Sequence, residues 1–307
     1  MMTQYATVSE SYLLMGTLVS IHIVGLEDRG ASLAMEQAMA TMRSVEEVMS
    51  RFDDISAIRR LCRTPGEWVS VPPVLFNALA IACEMARLTD GVFDPTIGRV
   101  MERQGFDRHY LTHKPAQSPM AFDPAGSFRD VLLNEEGHQV RLDRSLLLDL
   151  GAVAKGLAVD LAARAMPDCV GFSIDAGGDI YVSGKDPSGQ KWHVGVEDPL
   201  SHDQLLGWVD VTNMAVCTSG SYKRKSPKNP SVHHLVDSRT HQSARGLLQC
   251  TVLGKQAVLA DVMSTAGFLL GKDRALTFIE QMGFAGMIVT DDGKVLKTSL
   301  MEEYWNE

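Results

Sequence analysis

The sequence predicts an α+β fold, with mixed and antiparallel sheets packed against helices. Three observations carry that expectation. Over residues 18–24 the side chains alternate, Val19, Ile21 and Ile23 against Ser20 and His22, which is the period of a half-buried strand. The next stretch, "ASLAMEQAMATMRSVEEVMSRF" (31–52), repeats apolar residues at three- and four-residue spacing, as an amphipathic helix does. Further on, strands follow one another through short turns, as in "FSIDAGGDIYVSG", and helices are interspersed unevenly among them. A regular βαβ array is thereby disfavoured.

In chain order, the face of the first helix is rich in methionine (Met35, Met39, Met42, Met49), which reads as flexible core filler. A second helix is expected over "PPVLFNALAIACEMARLTDG", with Pro72 and Pro73 at its start and Gly91 just past its end. The polar, turn-rich stretch 105–143 reads as a loop or surface insertion ending in a strand pair. "LLLDLGAVAKGLAVDLAARAM" (146–166) reads as an apolar strand end, a turn at Gly151 and Ala152, and a helix from near Val153. Strands are expected in "KWHVGVEDP", in part of "LGWVDVTNMAVCTS", in "LLQCTVLG" and in "GFAGMIVTDDGKVLKTS", and an apolar helix in "VLADVMSTAGFLLG" (258–271).

At 307 residues and 45% hydrophobic, the chain can bury a full core. One large domain over 1–307 is expected, and no internal boundary can be read. The net charge of −9 is spread over short segments with no basic stripe, which speaks against nucleic acid. Five scattered cysteines with no CxxC pair indicate reduced thiols. The N-terminus lacks a basic leader pattern and no run approaches the ~20 apolar residues of a membrane span. A cytoplasmic protein is the expectation.

Four stretches carry polar residues in unusual places. In "DLGAVAKG", small residues permit close backbone approach and free N–H groups at a helix start favour an anion. Lys155 in the first turn opposes the helix dipole, so it is either a phosphate ligand or an ordinary solvated lysine. Asp261 and Thr265, four residues apart, share a helical face. They suit a hard cation such as magnesium, or they are an aspartate bonded to its own helix and a threonine bonded back to a carbonyl. In "SVHHLVDSRT", His234 and Asp237 could be a base and its neighbour, or structural. In "TDGVFDPTIG", Phe93 and Asp94 fit a heteroaromatic ligand or a turn.

Together, in this order, "MGT", "MSRFDDIS", "DGVFDPTIG", "LDLGAVAKGLAVD", "DAGGDI", "TSGSY", "HLVDSRT" and "ADVMSTAGFLLG" resemble the ApbE family of FAD:protein FMN transferases, from about residue 15 to near residue 300. The resemblance implies an ApbE-like fold and a reaction that splits FAD at its pyrophosphate. FMN passes to a threonine or serine hydroxyl of a target flavoprotein, and AMP leaves. It implies a magnesium site made by the main-chain carbonyl of Ala152 and the side chains of Asp261 and Thr265. Lys155 then meets the nucleotide, and Met15, Phe52, Val92, Phe93, Asp94, Asp149 and Val236 line the flavin site. His234 matches the base that deprotonates the acceptor hydroxyl.

This chain departs from the family pattern at four positions. Phe52 replaces a tyrosine, and Ser264 stands where some members carry a second aspartate. Ser238 replaces the proline and His241 the glycine of the HxxDPxTG motif, which leaves the shape of that loop open. Two other activities stay in view: an FAD pyrophosphatase, with water in place of the acceptor, and a non-catalytic FAD-binding protein.

Overall fold

In the computed structural model, which describes residues 5–116 and 122–307, the predicted alternation becomes the strand Thr17–Val24, with Val19, Ile21 and Ile23 fully buried and Ser20 and His22 half-buried. It pairs with Thr7–Leu14, a strand that the sequence pattern does not announce. That strand lies at the sheet edge, and only Leu14 within it is buried, so no apolar alternation is needed. The connecting turn is Met15 and Gly16, at φ 53° and 77°. Two left-handed residues make the tightest hairpin connection.

The chain forms two compact units. The first comprises Met1–Arg43, Lys155–Gly220 and Arg245–Glu307. Its eight-stranded sheet runs in the order Thr7–Leu14, Thr17–Val24, Gly171–Ala176, Asp179–Gly184, Met214–Gly220, Leu247–Gly254, Ala285–Thr290, Val295–Lys297. Every neighbouring pair is antiparallel. The helix Ala257–Leu270 packs on its central strands and is buried along most of its length. A three-stranded sheet built on Trp192–Asp198 and Ser201–Val211 closes a core of Val182, Val196, Val209, Val216 and Met287.

The second unit comprises Ser44–Ala154 and Ser221–Ala244. Its helix Pro73–Leu88 starts and stops as the sequence predicts: Pro73 occupies the first turn, and Gly91, at φ 75°, returns its N–H to the carbonyl of Ala86 at 2.8 Å. The expected strand pair is Val131–Asn134 with Gln139–Leu142, joined by Val69–Ser70. Residues 117–121 of the expected loop lie outside the described residues.

Two boundaries differ from expectation. The Met-rich helix is Asp28–Met49, its methionines buried as expected, but it ends before Phe52. Ser50 stops it: its Oγ accepts from Phe52 N at 3.3 Å and its carbonyl accepts from Ser56 Oγ at 2.7 Å, so side chains replace helical partners. The other helix is Gly151–Arg164, so Gly151 and Ala152 are helical and Lys155 lies past the first turn. Asp149 explains the early start, since its Oδ1 accepts the N–H of Gly151 at 2.8 Å.

Candidate active site

In the first unit, Lys155 is neither solvated nor alone. Its Nζ lies 2.5 Å from Asp179 Oδ2 and 3.4 Å from Asp261 Oδ2, and both carboxylates are almost fully buried. Asp261 Oδ2 also accepts the backbone N–H of Gly156 at 3.1 Å. Two carboxylates against one ammonium leave one negative charge in excess in a buried place, which a divalent cation would offset. Burial and the neighbouring Asp179 push the Asp261 carboxyl above its ordinary range, against the opposing pull of Lys155 and Gly156 N–H. Burial opposes the charge on Lys155, but Asp179 and Asp261 outweigh it and hold the ammonium protonated.

Asp261 thus bonds to another helix, not to its own. The back-bonding hydroxyl of this helix belongs to Ser264, which donates to the carbonyl of Asp261 at 2.9 Å. Thr265 Oγ1 instead pairs with Ser219 Oγ at 2.9 Å, and Ser219 also meets Ser264 Oγ at 2.9 Å. Close helix approach makes this arrangement possible. A Cβ on Gly156 would lie 2.5 Å from the carbonyl oxygen of Ala257. The oxygens of Asp261 and Thr265 are hard donors of the kind magnesium takes. Among the described residues no group of three or more His, Cys, Asp or Glu side chains forms a metal cage, so any cation here leans on hydroxyl, carbonyl or substrate oxygens. Met15, in the same unit, sits in its hairpin turn.

The second unit holds the other predicted residues: Phe52, Val92, Phe93, Asp94, Asp149, Ala152, His234 and Val236. Asp149 Oδ2 accepts from Arg51 Nε at 2.6 Å. Burial raises this carboxyl, but the charge of Arg51 and the Gly151 N–H outweigh it, so the net shift is downward. Arg51 is itself buried, donates to the carbonyl of Phe106 at 2.5 Å, and lays its guanidinium 4.1 Å from the centre of the Phe52 ring. Phe52 is half-buried and meets His109 edge-on at 6.3 Å.

Val92, Phe93 and Asp94 are buried. Asp94 acts as a turn-former: Oδ1 accepts from Thr96 N at 2.8 Å and Thr96 Oγ1 at 2.7 Å, and Oδ2 accepts from Phe128 N at 3.0 Å.

The two adjacent histidines divide. His233 is buried, with Nε2 2.9 Å from the carbonyl of Ala244. His234 is half-buried, with Nδ1 3.3 Å from the carbonyl of Arg224. A carbonyl only accepts, so in this contact Nδ1 carries the proton. Val236 is buried and pairs with Ser243, and the loop between them carries the two departures, Ser238 and His241. His241 adopts φ 57°, the left-handed backbone for which glycine is suited. Ser238 donates its N–H to the carbonyl of Val92 at 3.2 Å, a bond proline could not make, and its hydroxyl donates to the carbonyl of Gly91.

Sequence reasoning missed Asp179 and Arg51. "DAGGDI" and "MSRFDDIS" were visible as motifs, but nothing in their spacing announces an ion pair with Lys155 or with Asp149.

The fold defines the class: the chain belongs to the ApbE family, which it matches over residues 15–288. Among curated proteins, it is 30% identical to an FAD:protein FMN transferase of Rhodobacter capsulatus, over 96% of this chain and 57% of that protein, so the chain spans little more than half the length of that relative. It is 26% identical to the FAD:protein FMN transferase of Salmonella typhimurium, over 94% of this chain and 86% of that one. The crystal structure of the ApbE protein of Thermotoga maritima superposes with a TM-score of 0.85 at 29% identity, covering 99% of this chain and 100% of the other. The flavin transferase ApbE of Vibrio cholerae, at 22% identity, shares the fold with a TM-score of 0.83, covering 98% and 99%. The mixed fold with antiparallel sheets expected from the sequence is thus the observed one.

Proposed function

We propose that the protein is a magnesium-dependent FAD:protein FMN transferase that moves FMN from FAD to a threonine or serine hydroxyl of a target flavoprotein and releases AMP. Family membership supports the reaction class. The observation that carries the reading is the Lys155, Asp179 and Asp261 cluster beside Thr265, whose buried excess of negative charge and hard oxygens suit a divalent cation. Asp261, Thr265 and the main-chain carbonyl of Ala152 are the proposed ligands. The N–H that an α-helix returns to that carbonyl, on Gly156, also serves Asp261, which supports a carbonyl with capacity to spare. Bound magnesium would neutralise diphosphate charge as the transferred phosphorus is attacked.

The protein groups have separate tasks. Lys155 offers N–H donors to a phosphate oxygen. His234 accepts the acceptor hydroxyl's proton, the new bond joins that oxygen to the FMN phosphorus, and the bond to the AMP oxygen breaks. Phe52 offers an aromatic face to the isoalloxazine, with Met15, Val92, Phe93, Asp94, Asp149 and Val236 as the proposed remaining lining. Family membership supports transfer over plain hydrolysis. Five cysteines without a disulfide partner support the cytoplasmic location expected from the sequence; among the described residues no helix is long and apolar enough to cross a membrane.

The test is direct. The protein is incubated with FAD, magnesium and acceptor flavoproteins from the same genome, and the acceptors are weighed. An FMN-sized mass increment with matching AMP release is expected. AMP release at the same rate without any acceptor points to hydrolysis, and FAD binding without AMP under any metal condition to a binding protein.

A further inference from the structure

Asp179 is the charged member of the Lys155 cluster to which the proposed reaction gives no task. It is 2% exposed. Gly177 and Gly178, at φ 70° and 98°, turn the chain into the strand Asp179–Gly184, and Gly178 N–H is tied to Asp175 Oδ1 at 2.8 Å. The strand then pairs on both edges, with Asp179 opposite Cys217 on one side. A Cβ on Gly177 would stand 2.1 Å from Thr17 Oγ1, so the turn has no room to shift. The backbone that carries Asp179 is therefore held in place, and Lys155 Nζ lies closer to its carboxylate, at 2.5 Å, than to that of Asp261, at 3.4 Å.

This asymmetry has a consequence for any cation bound at Asp261. A lysine with a single carboxylate neighbour would pair with it and neutralise it. A lysine held by a second carboxylate leaves the first available. We propose that Asp179 is a positioning residue: it retains the Lys155 ammonium, so that Asp261 is not its sole partner and stays open to a divalent cation, and Lys155 stays in place when that cation arrives. The proposal rests on the flavin-transfer reading above.

The experiment uses the full chain and magnesium alone, with affinity read by calorimetry. Asp179→Asn keeps volume and removes the charge. It is expected to weaken magnesium binding by roughly 10–100-fold, the range for losing an outer partner of a metal ligand. In a Lys155→Met background there is no ammonium left to restrain, so the same substitution should cost much less; equal losses in the two backgrounds overturn the proposal, because they report only a missing charge. Lys155→Met/Asp179→Asn leaves no unpaired ammonium and serves if the single variant fails to fold.

A second measurement needs no variant. Labelling of Lys155 by an amine reagent in the native chain is expected to be as slow with magnesium as without it. If magnesium accelerates labelling, Asp261 was the anchor and Asp179 is not. A native chain that binds no magnesium, alone or with FAD present, overturns the flavin-transfer reading itself. A native chain that binds it, with Asp179→Asn binding as well, overturns only the role of Asp179.

Discussion

The carboxylate of Asp160 caps a helix that begins 97 residues later: Oδ1 is 2.8 Å from Ala257 N and Oδ2 is 2.9 Å from Val258 N. These are the first two N–H groups of Ala257–Leu270, whose own Gln256 supplies no side-chain cap. Helix starts need such acceptors, because their first N–H groups have no intrahelical partner. Asp160→Ala should cost about 1–2 kcal/mol of unfolding free energy. Urea denaturation measures this, and a change of only a few tenths would mean that water replaces the carboxylate without loss.

Asp261→Ala and His234→Ala should separate binding from proton transfer. Asp261 is the anionic metal ligand in the proposed set, so its loss should remove magnesium dependence, AMP release and FMN transfer together. His234→Ala leaves Lys155, Asp179 and Asp261 intact and should bind FAD normally, with transfer lower by roughly 10²–10⁴-fold. Flavin fluorescence reads binding and acceptor mass reads transfer. The assigned roles fail if His234→Ala loses FAD while Asp261→Ala still transfers.

Burial depresses the pKa of His233 below its ordinary 6.5, aided by nearby Lys225 and only partly offset by the Ala244 carbonyl. The folded state therefore prefers the neutral ring, while the unfolded chain takes up a proton first on acidification. This contribution to stability is complete above the ordinary value of 6.5 and is lost as pH falls from there through the depressed folded value. The melting temperature should fall over that window. His233→Gln keeps a donor toward the Ala244 carbonyl but does not titrate, and should flatten the slope. An unchanged slope would assign the effect to other groups.

His241→Gly should stabilise the protein by about 1 kcal/mol, since a left-handed residue with a side chain costs roughly 1–2 kcal/mol and glycine escapes most of it. The hydrogen bonds at this position are made by the backbone, N–H to the carbonyl of Asp237 at 2.8 Å and carbonyl from Gln104 Nε2 at 2.6 Å, so the substitution keeps them. Thermal melting decides, and a lower melting temperature would show that the His241 ring contributes more than its backbone strain costs.

What could be read in the sequence divides along physical lines. Val19, Ile21 and Ile23 betray their strand because one face must be buried, and Pro73 and Gly91 bracket a helix because backbone sterics require it. The edge strand Thr7–Leu14 has little to bury and so left no pattern. Asp261 and Thr265 were visible as a pair because helical spacing is local. Asp179 lies 24 residues from Lys155 and 82 from Asp261 in the chain, and no periodicity links strand and helix partners at such separations. Lys155 was legible as odd but not as paired: its partners come from the sheet and from another helix. Asp149 shows the reverse, a residue marked for a ligand that also caps its own helix and binds Arg51.

Gly156 has an effect beyond letting two helices touch. With a virtual Cβ 2.5 Å from the Ala257 carbonyl and 2.7 Å from Val258 Cα, it acts as a caliper set to zero thickness. The separation between the backbones that carry Lys155 and Asp261 is thereby fixed by main chain against main chain. A single added methyl group would open the caliper, and the cost would register as a charge out of place before it registered as a protein unfolded.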